Sequence, residues 1–239
     1  MSPTVTTQAS DSRRLTGCEA SGYEHGMDVS PSALFGAAPS TSARDAPLAI
    51  FVCGCNGAGK STLIAAARQD AAIAALPLFD PDLLAREHTL PPLAAGKQAI
   101  ALTREALAAC RPFIRESTLT AQLDFALMAE AKRRGFHTRL LYVGVLNADM
   151  AIARVQERVV QGGHDIAEGI IRRRFPKSIA HLVRALALCD DATLLDNSGA
   201  SHQVFARFAN GKAVYYALCP PWFMPVHKHL ALRFTGIYD

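Results

Sequence analysis

The 239-residue chain has no apolar stretch of the roughly 20 residues that a membrane-spanning helix requires, and no short apolar core of an export leader near its start. Its six cysteines, at positions 18, 53, 55, 110, 189 and 219, include no C-x-x-C pair and no histidine at zinc-ligand spacing, which argues against a disulfide framework and a structural metal. Strong charge of either sign is also missing: the formal net charge is +4, and the basic excess gathers in one segment, Arg154 to Lys177. Such a local cluster suits a compact polyphosphate better than an extended nucleic acid, so nucleic acid is a minor option. Residues 1–46 lack isoleucine and any periodic apolar pattern, and hold eight Ser, five Thr, four Gly and three Pro. A segment of this kind buries too little surface to offset chain entropy, so 1–46 is expected to be a disordered Ser/Thr-rich tail and 47–239 the folded domain. The expected location is cytoplasmic, with no membrane partner; the polar start leaves secretion as the alternative.

After Pro47 the composition changes at once. Leu48-Ala49-Ile50-Phe51-Val52-Cys53 is a continuous apolar run of strand length, as in a strand buried on both faces. Gly54-Cys55-Asn56-Gly57-Ala58-Gly59-Lys60-Ser61 follows, and the Ala-rich stretch from Lys60 to about Asp70 has high helix propensity and no breaker. Strand, glycine-rich loop and helix in that order are the context a phosphate-binding P-loop requires.

Further along, Leu76–Phe79 reads as a short strand before Asp80-Pro81-Asp82, where Pro81 and the acids suit the first turn of a helix. A helix is predicted from Pro92 to Cys110, a strand at Phe113–Arg115, a helix at Gln122–Arg134 closed by Gly135, and a strand at Thr138–Val145. Two helical segments, about 149–160 and 167–188, flank the turn at 161–165, and a strand at 192–195 ends in Asp196-Asn197. Asn210-Gly211 favours a hairpin between 204–208 and 214–216. The alternation predicts an α/β fold of the P-loop NTPase/kinase type: a mainly parallel sheet flanked by helices, with a helical lid and a C-terminal hairpin. Ligands should sit outside the carboxyl ends of its strands.

The loop predicts a nucleotide site made by Gly54, Asn56, Gly57, Ala58, Gly59, Lys60, Ser61 and Thr62, with Lys60 on the outer phosphates and Ser61 as the Mg²⁺ ligand. Asp82 and Glu116 follow the second and third strands, so both should emerge on the same sheet edge as the loop; the bland alternative is that each caps a helix. Arg154 and Arg158 share a helix face, and Arg172, Arg173 and Arg174 open the next helix, an arrangement resembling a lid or else a solvated basic face. Asp196 is read as a turn residue. His164 is either a phosphate contact in a closed lid or a solvated loop residue.

Taken together, Gly54–Thr62, Asp80-Pro81-Asp82, Glu116-Ser117-Thr118-Leu119-Thr120-Ala121, Arg154-Val155 with Arg158-Val159 and Gly162-Gly163-His164, the arginines 172–174 and Asp196-Asn197-Ser198 resemble the zeta-toxin family of P-loop kinases. The resemblance spans most of residues 48–200. It departs from the family pattern at Cys55, Asp80, Ser117, Thr120, Ala121 and Ala167, without loss of a group the chemistry needs. It implies Asp82 as the base for an acceptor hydroxyl, Glu116 and Thr118 as substrate-pocket residues, and Lys60 and Ser61 as phosphate and Mg²⁺ ligands. Arg158 with one of Arg172–Arg174, represented by Arg172, would neutralise developing charge. It further implies ATP or GTP as phosphoryl donor, a nucleotide sugar such as UDP-N-acetylglucosamine as acceptor, and a toxin neutralised by a separate antitoxin or inhibitor. The competing expectation is a P-loop NTPase switch or effector that binds a protein without small-molecule phosphotransfer.

Overall fold

A computed structural model of the chain describes residues 29–36, 46–217 and 219–234. In chain order its helices are α1 (Pro31–Phe35), α2 (Lys60–Ala67), α3 (Ala71–Ala74), α4 (Pro81–Glu87), α5 (Pro92–Ala108), α6 (Gln122–Arg133), α7 (Ala148–Val160), α8 (Glu168–Leu188) and α9 (Met224–Phe234), the last preceded by a 3₁₀ turn at Pro221–Phe223. The strands are β1 (Leu48–Cys53), β2 (Leu78–Phe79), β3 (Phe113–Ser117), β4 (His137–Gly144), β5 (Asp191–Asp196), β6 (Gln203–Ala209) and β7 (Lys212–Tyr216).

They form one seven-stranded sheet in the order β2-β3-β1-β4-β5-β6-β7. The first five strands in that order are parallel, which brings the carboxyl ends of β1, β2, β3, β4 and β5 to one edge. β1 is the middle of the parallel part, and that is why its sequence is apolar without alternation. Ala49, Phe51 and Cys53 enter the core under one face of the sheet, Ile50 and Val52 the core under the other. β6 and β7 close the sheet as an antiparallel hairpin, turned at Asn210 (φ 50°) and Gly211 (φ 74°), the two positive dihedrals that a tight reversal demands. No helix among the described residues is long and apolar enough to cross a membrane.

One feature departs from the sequence-based expectation. Within the expected disordered tail, residues 31–35 form α1, and Leu34 and Phe35 are buried in the core shared with α2 and α7. Arg139 secures this piece by donating from Nη1 to the carbonyl oxygens of Leu34 and Gly36, while Asp191 Oδ1 accepts its Nε at 2.8 Å. Two apolar residues and two accepted hydrogen bonds are enough to order so short a segment, and a composition average over 46 residues dilutes that signal. The rest of 1–46 lies outside the described residues. At the other end, Trp222 and Phe223 complete the core on the α8 face with α9 behind them.

Candidate active site

The phosphate loop runs from the end of β1 into α2 through backbone conformations that only glycine takes without strain. At Gly57 (φ 76°) a Cβ would fall 2.2 Å from the Ala151 carbonyl oxygen, and at Gly59 (φ 97°) 2.3 Å from Asn197 Nδ2. The neighbouring cysteines serve only packing: both are buried, and burial pushes the Cys55 thiol up to about 11, far from a reactive thiolate.

Lys60 is only 5% exposed and is held on two sides. Its Nζ donates to the Cys55 carbonyl oxygen at 3.0 Å and lies 3.4 Å from Glu116 Oε1. The other Glu116 oxygen accepts the Ser61 hydroxyl at 3.1 Å. β3 pairs with β1 so that Glu116 lies beside Val52, which brings its carboxylate to the mouth of the loop. Lys60, Ser61 and Glu116 thus form one unit, joined by an ion pair and a hydrogen bond.

Asp80 and Asp82 play different parts. Asp80 is the N-cap of α4: its Oδ1 accepts the Asp82 N–H at 2.8 Å and the Leu83 N–H at 3.4 Å. Burial, reinforced by the charge of Glu116, pushes its carboxyl up to about 7. Asp82 is half-exposed, with Oδ2 3.8 Å from Arg158 Nη1. Arg158 is steadied from behind, its Nη2 donating to the His164 carbonyl oxygen at 2.8 Å.

The structure does not place Arg172, the predicted charge stabiliser, at the phosphate loop. Its guanidinium is spent on the surface, 2.6 Å from Glu168 and 2.7 Å from Asp149. Arg174 is the arginine of that run that reaches the phosphate loop, Nη1 donating to Asn56 Oδ1 at 3.1 Å. The i,i+4 spacing of Glu168 and Arg172 was the available signal, since oppositely charged residues at that spacing meet on an exposed helix face. Asp196 is structural, as expected for a turn residue: one of its oxygens accepts both the Ser198 hydroxyl and the Trp222 indole N–H. Thr118 shares a hydrogen bond of 2.9 Å with Thr120. Three contributors went unread in the sequence: Asn197 and His202, which touch the loop carbonyls of Ala58 and Gly59, and Arg115, buried against Thr103 and Asp124.

These residues surround two adjoining cavities. The smaller, about 450 Å³, is lined by Gly57, Gly59, Lys60, Ser61 and Thr62, with Arg154 and Arg158 opposite Asn197 and His202. The larger, about 640 Å³, lies between α4, α5 and the start of α8; Asp80, Thr118, Thr120 and Arg174 give it polar walls, and Leu93, Ile100 and Ile170 apolar ones. Asn56, Asp82 and Glu116 line both. The smaller cavity fits a polyphosphate: Arg154 Nη1 and Arg158 Nε are buried without a hydrogen-bond partner, and Lys60 adds a third positive charge. Among the described residues no group of three or more His, Cys, Asp or Glu could hold a metal. The oxygen donors beside Lys60, the Ser61 hydroxyl and the Glu116 carboxylate, are of the kind that suits Mg²⁺, which binds through few protein ligands plus water and phosphate.

The sheet order, mostly parallel and flanked by helices, and the glycine-rich loop between β1 and α2 define an α/β protein of the P-loop fold. In fold it is similar to a chain of the AvrRxo1-ORF1:AvrRxo1-ORF2 complex with ATP, with a TM-score of 0.57 at 12% identity over 77% of this chain and 63% of that one. The same complex with sulphate ions gives 0.54 over the same shares, so this chain spans less than two thirds of that chain's length. A looser likeness, TM-score 0.45 at 14% identity over 87% of this chain and 92% of the other, is to the PezAT chromosomal toxin–antitoxin system of Streptococcus pneumoniae. No protein-family model matches the sequence. The chain belongs to the same family as an uncharacterised protein of Haemophilus influenzae, to which it is 38% identical over 132 residues, 53% of this chain and 91% of that protein.

Proposed function

We propose that this protein is a Mg·ATP-dependent phosphotransferase of the zeta-toxin type, which moves the terminal phosphoryl group of a nucleotide to a hydroxyl of a small polar metabolite. The observation that carries the proposal is that the two cavities meet at Asp82 and Glu116, beside Lys60 and Ser61. A simple hydrolase needs no second chamber of about 640 Å³ opening on the transfer point, whereas a kinase must hold its acceptor there.

Each residue then has a defined part. Lys60 neutralises the outer phosphates, and Ser61 is the protein ligand for Mg²⁺. Mg²⁺, when bound, would supply positive charge to offset that of the phosphates. Glu116, which links Ser61 and Lys60 and lines both cavities, is placed to contact the acceptor. Asp82 faces both cavities and orients or accepts the proton of the attacking hydroxyl, while Arg158 and Arg174 stabilise charge on the transferring group. Asp80 caps α4 through Oδ1, and we assign the base role to Asp82. Thr118 and Thr120 supply hydroxyls to the acceptor chamber, whose apolar wall at Leu93, Ile100 and Ile170 suits a flat ring. A polar hydroxyl-bearing molecule with a ring agrees with a nucleotide sugar such as UDP-N-acetylglucosamine, and we propose that class as acceptor. A separate antitoxin that covers the two cavities is the corresponding partner.

Incubating the full chain with Mg·ATP and UDP-N-acetylglucosamine, and in parallel with a small-metabolite extract, tests the proposal by mass spectrometry. A species gaining one phosphate in the extract alone would retain the kinase and reject the nucleotide sugar. ATP hydrolysed at a steady rate with no phosphorylated product would instead establish an NTPase.

A further inference from the structure

The loop that follows β5 crosses the outside of the phosphate loop and grips it by its carbonyl groups. Asn197 Nδ2 donates to the Ala58 carbonyl oxygen at 2.8 Å, and His202 Nε2 lies 3.2 Å from the next carbonyl, that of Gly59. A carbonyl oxygen can only accept, so His202 is the donor and carries its proton on Nε2. Burial, helped by the nearby charge of Arg154, lowers the pKa of His202, so the neutral ring performs this task.

A trans peptide is planar, with its C=O and the following N–H pointing in opposite directions. Fixing the Ala58 carbonyl on Asn197 therefore turns the Gly59 N–H away from the β5 loop. Fixing the Gly59 carbonyl, which also receives the Leu63 N–H of α2 at 3.1 Å, does the same for the Lys60 N–H. Neither N–H has a protein acceptor among the described residues. Both are free at the start of α2, where anions are attracted.

We infer that Asn197 and His202 are positioning residues that preset two phosphate-binding N–H groups by holding the opposite ends of their peptide planes. The inference rests on the reading of the loop as a phosphate site. Asn197 is itself fixed from two directions. Its N–H donates to the Gly144 carbonyl oxygen at 2.9 Å, and Asp196, the preceding residue, accepts the Trp222 indole N–H at 2.8 Å. The Trp222 ring lies so close over Gly144 that a Cβ there would come within 2.2 Å of it. The C-terminal segment thus braces the loop that orients the phosphate site, although Trp222 itself lines neither cavity.

The test is calorimetric titration of the full-length protein with inorganic tripolyphosphate, alongside thermal melting and ATP kinetics. Asn197→Ala and the similarly shaped Asn197→Leu, both lacking the donor, should each bind tripolyphosphate about tenfold more weakly, as expected for losing a hydrogen bond that orders a ligand-binding group. The KM for ATP should rise by a similar factor, with little change in kcat at saturation. His202→Asn, which keeps a donor, should lose less than His202→Phe. Unchanged tripolyphosphate affinity in both Asn197 variants would overturn the inference, as would a fall in kcat with KM unchanged, or a loss of affinity that tracks a collapse in melting temperature. A wild-type protein that binds no tripolyphosphate would overturn the phosphate reading itself, a different failure from that of the Asn197 variants alone.

Discussion

Glu116 and Lys60 form a buried pair, 3.4 Å apart, in which the carboxylate also holds the Ser61 hydroxyl. A phosphate-loop lysine in such a pair is not a free surface charge, and removing it leaves a carboxylate without its counter-ion. Lys60→Ala should reduce phosphoryl transfer by about 10³-fold or more, and should also lower the melting temperature, because breaking a buried pair on one side is costly. The double variant Lys60→Ala/Glu116→Ala should recover stability without recovering activity. Paired melting and transfer assays decide this; a single variant as stable as wild type would show that the pair is not energetically coupled.

Asp82 and Asp80 separate by chemistry. Asp82→Asn should leave ATP affinity near normal and slow transfer roughly 10²-fold or more, the cost of losing a general base. Asp80→Asn should keep the cap on α4, because the asparagine oxygen can accept the same two N–H bonds, and should transfer phosphate at close to the wild-type rate. If Asp80→Asn is the slow variant and Asp82→Asn is not, the base has been placed two residues too late.

The same Asp80 gives a pH signature. Its carboxyl is raised to about 7 in the folded protein, chiefly by burial, against about 4 in the unfolded chain. Between those values the folded state holds a proton that the unfolded state has lost, so this group's contribution to stability falls as pH rises from about 4 to 7 and is flat above. Asp80→Asn removes the titration. Its stability relative to wild type should therefore climb across that window, by up to about 4 kcal/mol at about 1.4 kcal/mol per pKa unit, and stay level at higher pH. A difference independent of pH would mean that Asp80 is already ionised near pH 4 in the folded protein.

Arg174 and Arg172 offer a matched comparison two residues apart on one helix. Arg174→Ala should slow transfer about 10²-fold, by analogy with the loss of a single donor to developing charge, whereas Arg172→Ala should stay within about twofold. Exposed ion pairs of the Arg172 kind contribute between roughly 0 and 1 kcal/mol. Equal losses in turnover would return Arg172 to the site.

Truncation distinguishes two parts of the N-terminal segment. Removing residues 2–28 should leave the melting temperature nearly unchanged, as expected for a stretch without apolar periodicity. Removing 2–36 takes Leu34 and Phe35 out of the core and should cost on the order of 3 kcal/mol, given about 1.5–3 kcal/mol for each fully buried large apolar side chain as an upper range. Identical melting curves for the two truncations would show that α1 adds nothing to stability.

Where each element lies was set mostly by local rules, and local rules can be read along the chain. β1 had to be a central strand because its apolar run does not alternate, Gly57 and Gly59 had to be glycines for the loop to turn, and Asn210-Gly211 had to reverse the last hairpin. Lys60, Ser61 and Asp82 come after the carboxyl ends of β1 and β2, and Glu116 lies inside the carboxyl end of β3, not after it as the sequence suggested; parallel strands bring all four to one edge. Only the tertiary structure decided which arginine of 172–174 meets the phosphate loop, since a rotation of about 100° per residue around α8 separates neighbours that look equivalent in sequence. Only the folded chain shows that Asn197 and His202 hold carbonyls 139 and 143 residues away, or that Leu34 and Phe35 belong to the core. Such contacts depend on which surfaces packing brings together, and no periodicity along the chain records them.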